Sequence, residues 1–301
     1  MSQFMGQFMS RSTRPMAFAM FLPGSGTWPS IRKVASRALL YGVLSLLALV
    51  CIFPFWWTCV TALSGSGNLF EFPPTLWPQD VTLANIREVF DVIPMWAFFK
   101  NSLWITLCTV ALKLLLCSLA AYPLSLLQFS GKKWVLSLLF ATMVLPSEVN
   151  FLVNFITVSQ LNLIDTTSGV ILPNIVSAMS ILMLKQAFDA IPPNIVEAAR
   201  IEGASNWQIW WHILLPLIAP WLATVGILTA VESWNDYLWP SLVLSQPDDF
   251  PMAAGIMYLR GTFGSSTRVI AAGTLLTILP ILLMFLFAQR FFMASTEGAV
   301  K

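Results

Sequence analysis

The sequence predicts an all-α membrane protein, with six transmembrane helices and a further helical loop on one side of the bilayer. Three observations carry this. Hydrophobic residues make up 57% of the 301 and charged residues only 10%, with a mean hydropathy of +0.77, far outside the range of a soluble domain. Six apolar runs are long enough, at about 20 helical residues each, to cross a hydrocarbon core of roughly 30 Å. The runs are continuous, whereas barrel strands alternate in polarity over segments of about ten residues.

Met1 to Ser36 is basic and carries Gly, Pro and Ser, which predicts a cytoplasmic tail over 1–36 ahead of one transmembrane domain over 37–301. The first span, Leu39 to Leu63, is too long for the apolar region of a cleaved signal peptide and is expected to be an uncleaved anchor. Cys51, Cys59, Cys108 and Cys117 fall inside the first two runs, where a thiol behaves as a small buried hydrophobe. No metal site is expected, because no Cys-x-x-Cys spacing occurs and His212 is the only histidine. Ser64 to Phe99, with its glycines and prolines, predicts a structured outer cap.

The second span, Ser102 to Leu127, contains Lys113, and Pro123 is expected to end it early or kink it. The third, Trp134 to Val158, contains Pro146, Glu148, Asn150 and Asn154. Polar groups at membrane depth are costly and face a cavity or a protein partner, and a proline frees backbone groups that only protein or water can satisfy. These residues and Glu232 are therefore candidates for the lining of a path, with hydrogen bonding between subunits as the other reading. The fourth span, Ser168 to Leu184, is short and has Pro173 near its start, so its edges are the least defined.

The longest connection on the basic side is the loop over 189–216. Pro193 suits the first turn of a helix, Val196 to Glu202 are mostly good helix formers, and Gly203 can take the left-handed conformation that ends one. Ile195, Ala198 and Ala199 are expected to form a narrow apolar stripe beside Glu197 and Arg200, a surface suited to a partner's groove. Ser205 and Gln208 have capping-box spacing. A second helix is thus predicted through Trp210 and Ile213 until Pro216 opens the fifth span. The plainer reading is an amphipathic hairpin lying on the bilayer.

Glu197-Ala198-Ala199, Gly203, Ile213 and Leu215-Pro216 reproduce the spacing of the EAA loop, and on these residues the chain resembles permease subunits of ATP-binding-cassette importers. Ala120-Ala121-Tyr122, Leu163 to Thr166, Trp234 to Pro240 and Gly298 to Lys301 narrow the likeness to the carbohydrate-uptake group, specifically the second, six-span permease of the maltose type. The resemblance implies that Pro193 to Gly203 is a coupling helix inserting into a cleft on a cytoplasmic ATPase subunit. Glu202 stands where the family prefers aspartate, and the charge is kept. The implied partners are a second homologous permease forming a heterodimer, two ATPase subunits that bind ATP and Mg, an extracytoplasmic solute-binding protein and membrane lipid, with no nucleic acid. The implied cargo is a sugar or sugar-like solute: an oligosaccharide, sugar alcohol, glycosylated osmolyte or glycerol phosphate.

The fifth span, Leu217 to Trp239, ends in Asn235, Asp236, Tyr237 and Trp239, which combine stacking faces with groups that suit sugar hydroxyls. The alternative is an aromatic belt at the membrane interface. Ser241 to Arg268 is expected to be an irregular outer loop with a short helix around Met252 to Tyr258, followed by the sixth span, Val269 to Phe292.

With the N-terminus inside, Arg11, Arg14, Arg32, Lys33, Arg37, Lys132, Lys133, Lys185, Arg200, Arg290 and Lys301 fall on the cytoplasmic side. Arg87, Lys100, Arg260 and Arg268 fall outside. This asymmetry predicts both termini in the cytoplasm of a bacterial-type inner membrane. No Gly-x-x-x-x-Gly-Lys phosphate loop is present, so the chain is not expected to hydrolyse ATP. Glu148 and Glu232 as proton sites would suit an ion-coupled secondary transporter, the rival function. That rival gives no reason for the Glu197 to Pro216 pattern. An intramembrane enzyme is disfavoured by the single loop histidine.

Overall fold

The structure, a computed structural model, describes residues 31–67, 76–262 and 266–298, with the side chains of 31–36, Ser147, Glu148, 260–262, Phe285, 287–290 and 291–298 left out. The tail before Ile31 and the Ala299 to Lys301 end of the terminal signature lie outside the described residues, as does the Glu148 side chain. Two compact units are present, Met1–Phe53 and Pro54–Lys301. Helix α1 covers Ile31–Leu63, so helix begins inside the predicted tail. In the first unit its described side chains are exposed and largely apolar, including Leu39, Leu46 and Leu49, which is the composition of a lipid-facing surface.

Among the described residues, three helices are long and apolar enough to cross a bilayer: α1, α3 (Met95–Leu126) and α14 (Thr267–Gly298). Three bent helix pairs can each supply one more span, which makes the predicted six. The third span is broken between α4 (Lys132–Val144) and α5 (Ser147–Gln160), with Pro146 capping the latter. The prediction of one continuous helix over Trp134 to Val158 is corrected here. Pro146 has no N–H to continue the ladder and its ring disfavours helical geometry for Leu145, which is extended (ψ 131°).

The fourth span consists of α6 (Thr167–Ile171), the 3₁₀ turn Leu172–Asn174 around Pro173, and α7 (Ala178–Asp189), bent by 49°. It therefore runs beyond Leu184. Pro123 does not end the second span. The helix continues one turn to Leu126, and the Leu127 N–H donates to the Pro123 carbonyl at 3.2 Å.

Helix α3 is the hub, packing against α7 and against α11 (Ala219–Asn235), which in turn packs against α14. At one end, Val89 of α2 (Ala84–Val92), Phe98 of α3, Trp239 of α12 (Leu238–Val243) and Leu259 of α13 (Met252–Thr262) share an apolar core. The expected outer cap is tied down there: Asn85 donates to the Ala62 and Ser64 carbonyls at 2.9 Å, and Asn101 donates to the Asp248 and Phe250 carbonyls at 2.8 and 3.2 Å. Among the described residues the one β-bridge joins Ser64 and Val81.

Candidate functional site

At the opposite end of the bundle lies a second apolar core, built from Tyr122 of α3, Phe188 of α7 and the loop over 189–216. Helix α8 covers Pro193–Ile201, with Pro193 at its first position. Gly203 has φ +85°. The Gly203 N–H reaches the Arg200 carbonyl at 3.0 Å and the Ala204 N–H reaches Ala199 at 3.0 Å. Those two bonds form a Schellman ending that satisfies the last helical carbonyls.

Val196 and Ala199 are buried in the second core, while Glu197, Ala198, Arg200 and Glu202 are exposed. The partner-facing stripe predicted over Ile195, Ala198 and Ala199 is therefore split: Ala198 is exposed, Ile195 half-buried, and Ala199 turns inward. The inward pair is Val196 and Ala199, spaced i, i+3, and Ala198 belongs to the outward face. Ile201, 87% exposed, joins that outward face and was missed, because an isoleucine beside small apolar residues reads as core until the helix is docked.

Ser205 and Gln208 form the predicted capping box, with the Gln208 N–H on the Ser205 hydroxyl at 3.3 Å and the Gln208 amide oxygen taking the Ser205 N–H at 2.8 Å. The helix it opens is not regular. After one turn, α9 (Asn206–Gln208), residues Ile209–Leu214 form a π-helix, and one more turn, α10 (Leu215–Leu217), ends at Ile218. The Leu215 N–H reaches back five residues to Trp210. The segment then bends by 78° into α11, which begins at Ala219. The fifth span thus starts after Pro216, whose missing N–H helps to break the ladder. Ile213 and Leu215 are half-buried against the second core, and Pro216 is exposed.

The loop is anchored to the bundle by polar bonds as well. The Tyr122 hydroxyl donates to Asn206 Oδ1 at 3.0 Å, and Ser125 donates to Asp189 at 2.5 Å, beside the Lys185–Asp189 ion pair at 2.6 Å. Lys132 donates to the Ser125 and Leu127 carbonyls at 3.0 and 3.1 Å, at the end of α3.

Between α3, α5 and α11 lies a cavity of about 460 Å³. Lys113 reaches it from α3, 6% exposed, with its Nζ 3.8 Å from Glu232 Oε2. The Glu232 side chain is itself 72% exposed. Thr109, Asn154, Asn174, Thr229, Ser233, Asn235 and Asp236 line the remainder with Phe151, Pro173 and Trp239. Of the predicted path residues, Asn154, Glu232, Asn235 and Asp236 are brought together. Asn150 and Tyr237 do not line the cavity and are exposed.

Trp239 is not the free stacking surface its sequence position suggested. It is buried, donates to the Gly169 carbonyl at 3.2 Å and packs on Phe151 with ring centres 6.1 Å apart. Asp236 accepts the Trp239 N–H at 3.2 Å and so holds the turn into α12. Thr109, Asn174, Thr229 and Ser233 were missed, since isolated hydroxyls and amides in apolar helices announce no direction. Among the described residues no group of His, Cys, Asp and Glu could hold a metal.

Residues 114–294 match the family described as binding-protein-dependent transport system inner membrane component. The chain is 34% identical to an arabinooligosaccharides transport system permease protein, AraQ, of Halalkalibacterium halodurans, over 85% of this chain and 93% of that one. It is 29% identical to the lactose transport system permease protein LacG of Rhizobium radiobacter, over 90% and 99% of the two chains. It is 30% identical to the sn-glycerol-3-phosphate transport system permease protein UgpE of Yersinia pestis, over 84% and 93%. Its fold matches a chain of a bacterial ABC transporter involved in import of the acidic polysaccharide alginate, with a TM-score of 0.78 at 22% identity over 88% of this chain and 99% of that one.

Proposed function

The chain belongs to the family of binding-protein-dependent transport system inner membrane components, and from that premise we propose that it forms half of the path of an ATP-driven importer for a sugar or sugar-like solute. Membership in this family removes the motive for the ion-coupled alternative. The companion half is a second homologous permease. Two ATPase subunits bind ATP and Mg on the cytoplasmic side, and a solute-binding protein delivers cargo outside. Both termini and the loop over 189–216 face the cytoplasm.

The observation that carries this reading is the docked helix α8. Val196 and Ala199 fix it to the bundle, and its outward face of Glu197, Ala198 and Ile201 is left free. Arg200, Glu202 and Gly203 flank that face, and Ile213, Leu215 and Pro216 carry its movement to α11. Nucleotide can shift the inward and outward populations only through contacts that differ between the two states. An exposed isoleucine amid charges is the kind of knob an ATPase cleft would hold. Asn154, Glu232, Asn235 and Asp236 line the path in this reading.

Gly203→Asp tests the coupling role. A Cβ at this position meets nothing within 4 Å in the chain, and aspartate tolerates positive φ better than most residues. The φ of +85° still strains any side chain at this position, so Gly203→Asn, similar in size and tolerance of positive φ but uncharged, is the control for the turn itself. Uptake by the assembled importer is expected to fall at least ~10-fold, the scale of a lost interfacial contact of about 1.4 kcal/mol, with less ATPase copurifying. Unchanged uptake together with unchanged copurification overturns the proposal.

A further inference from the structure

The relatives named above carry neutral arabinooligosaccharides or lactose in one case and an anionic phosphate ester in another, and the electrostatics of the cavity distinguish these cargo classes. Among the described residues that line it, Lys113 is the one cation, while Glu232 and Asp236 are both carboxylates. The ammonium is also withdrawn. Its side chain is 7% exposed, against 72% for the Glu232 carboxylate lying 3.8 Å from it. The charge that the lining presents is therefore net negative, and its cation is the less accessible member of the pair. The remaining polar lining, Thr109, Asn154, Asn174, Thr229, Ser233 and Asn235, is uncharged and offers both donors and acceptors.

Resting on the importer reading, we propose that this cavity selects uncharged polyhydroxylated solutes, glycosides or sugar alcohols, and rejects phosphate esters and uronates. Carboxylates accept strong hydrogen bonds from sugar hydroxyls. A phosphate monoester carries nearly two negative charges near neutral pH, and placing it against Glu232 and Asp236 is a like-charge contact of the sort that suppresses wrong partners. Lys113 does not reverse this. Paired with Glu232 at 3.8 Å, it offsets one of the two carboxylates, and the lining stays net negative through the other.

The test uses the whole importer in proteoliposomes, with its companion permease, ATPase and binding protein. The probes are labelled arabinotriose, lactose and glycerol on the neutral side, with sn-glycerol 3-phosphate and digalacturonate on the anionic side. The expected result is ATP-dependent uptake of at least one neutral probe, with each anion at least ~10-fold slower, a ratio reached by modest like-charge repulsion at partly solvated sites. Uptake of an anion at or above the fastest neutral rate overturns the selectivity while the importer reading stands. Uptake of neither class overturns both.

A second arm assigns the selectivity to these residues. In Glu232→Gln with Asp236→Asn, the asparagine keeps an acceptor for the Trp239 N–H. The anion-to-neutral ratio should rise at least ~10-fold once both charges are gone. A ratio unchanged from wild type, in protein that assembles with its ATPase normally, overturns the assignment.

Discussion

A buried ammonium in the middle of an apolar helix must be neutralised by protein, and for Lys113 Glu232 is the group that does it. The two partners differ in exposure, so removing them has unequal consequences. Glu232→Gln leaves a buried cation without its countercharge, whereas Lys113→Met leaves a carboxylate that water can reach. Thermal unfolding in detergent is expected to show a larger loss for Glu232→Gln than for Lys113→Met, and the opposite order would refute the pairing. Gly169 shows a different constraint. A Cβ there would lie 2.2 Å from the Leu163 carbonyl oxygen, so Gly169→Ala must displace the Leu163 to Thr166 turn. A loss of about 1–3 kcal/mol is expected, read as a lowered unfolding temperature. Lys113 was legible in the sequence as an out-of-place charge. The crowding at Gly169 was not, because nothing local to the residue requires a glycine.

At the scale of the element, α8 and the segment after it show which local rules survive assembly. The proline start, the glycine end and the capping box are short-range devices, and all three formed as the sequence predicts. The rotation of α8 is not short-range. Val196 and Ala199 are the residues of α8 that enter the second core, while Ala198 stays exposed. Val196→Ala should therefore destabilise by about 1–2 kcal/mol, while Ala198→Ser should leave stability within about 0.5 kcal/mol. The measurement is denaturant unfolding of the purified assembly, and equal effects would place the helix in another rotation. The bond from Tyr122 to Asn206 holds α9, the turn that leads into the π-helical segment, against α3 at 3.0 Å. If that joint transmits movement of α8, Tyr122→Phe should lower the solute moved per ATP hydrolysed by more than it lowers ATPase activity. A parallel fall in both would show that the bond is only structural.

For the whole molecule, the polar lining and the lipid-facing surface should differ in their access to water. With Cys51, Cys59, Cys108 and Cys117 replaced, Asn154→Cys in the assembled importer is expected to react with a membrane-impermeant thiol reagent. Leu152→Cys, at an exposed apolar position two residues away, is expected not to react. Reaction at both positions, or at neither, would contradict a lumen between α3, α5 and α11. By itself the sequence determined that the chain is helical and membrane-borne, where its apolar runs lie, and that one loop carries an importer signature. Those properties depend on composition, run length and a motif contained in one short stretch of chain, Glu197 to Pro216, which the sequence displays directly. Only the tertiary structure decided that Trp239 belongs to the core, that the third and fourth spans are bent, and that Lys113 meets Glu232 across 119 positions of chain. Those outcomes depend on which helix faces are pressed together, and in an apolar helix almost every face is hydrophobic enough to serve.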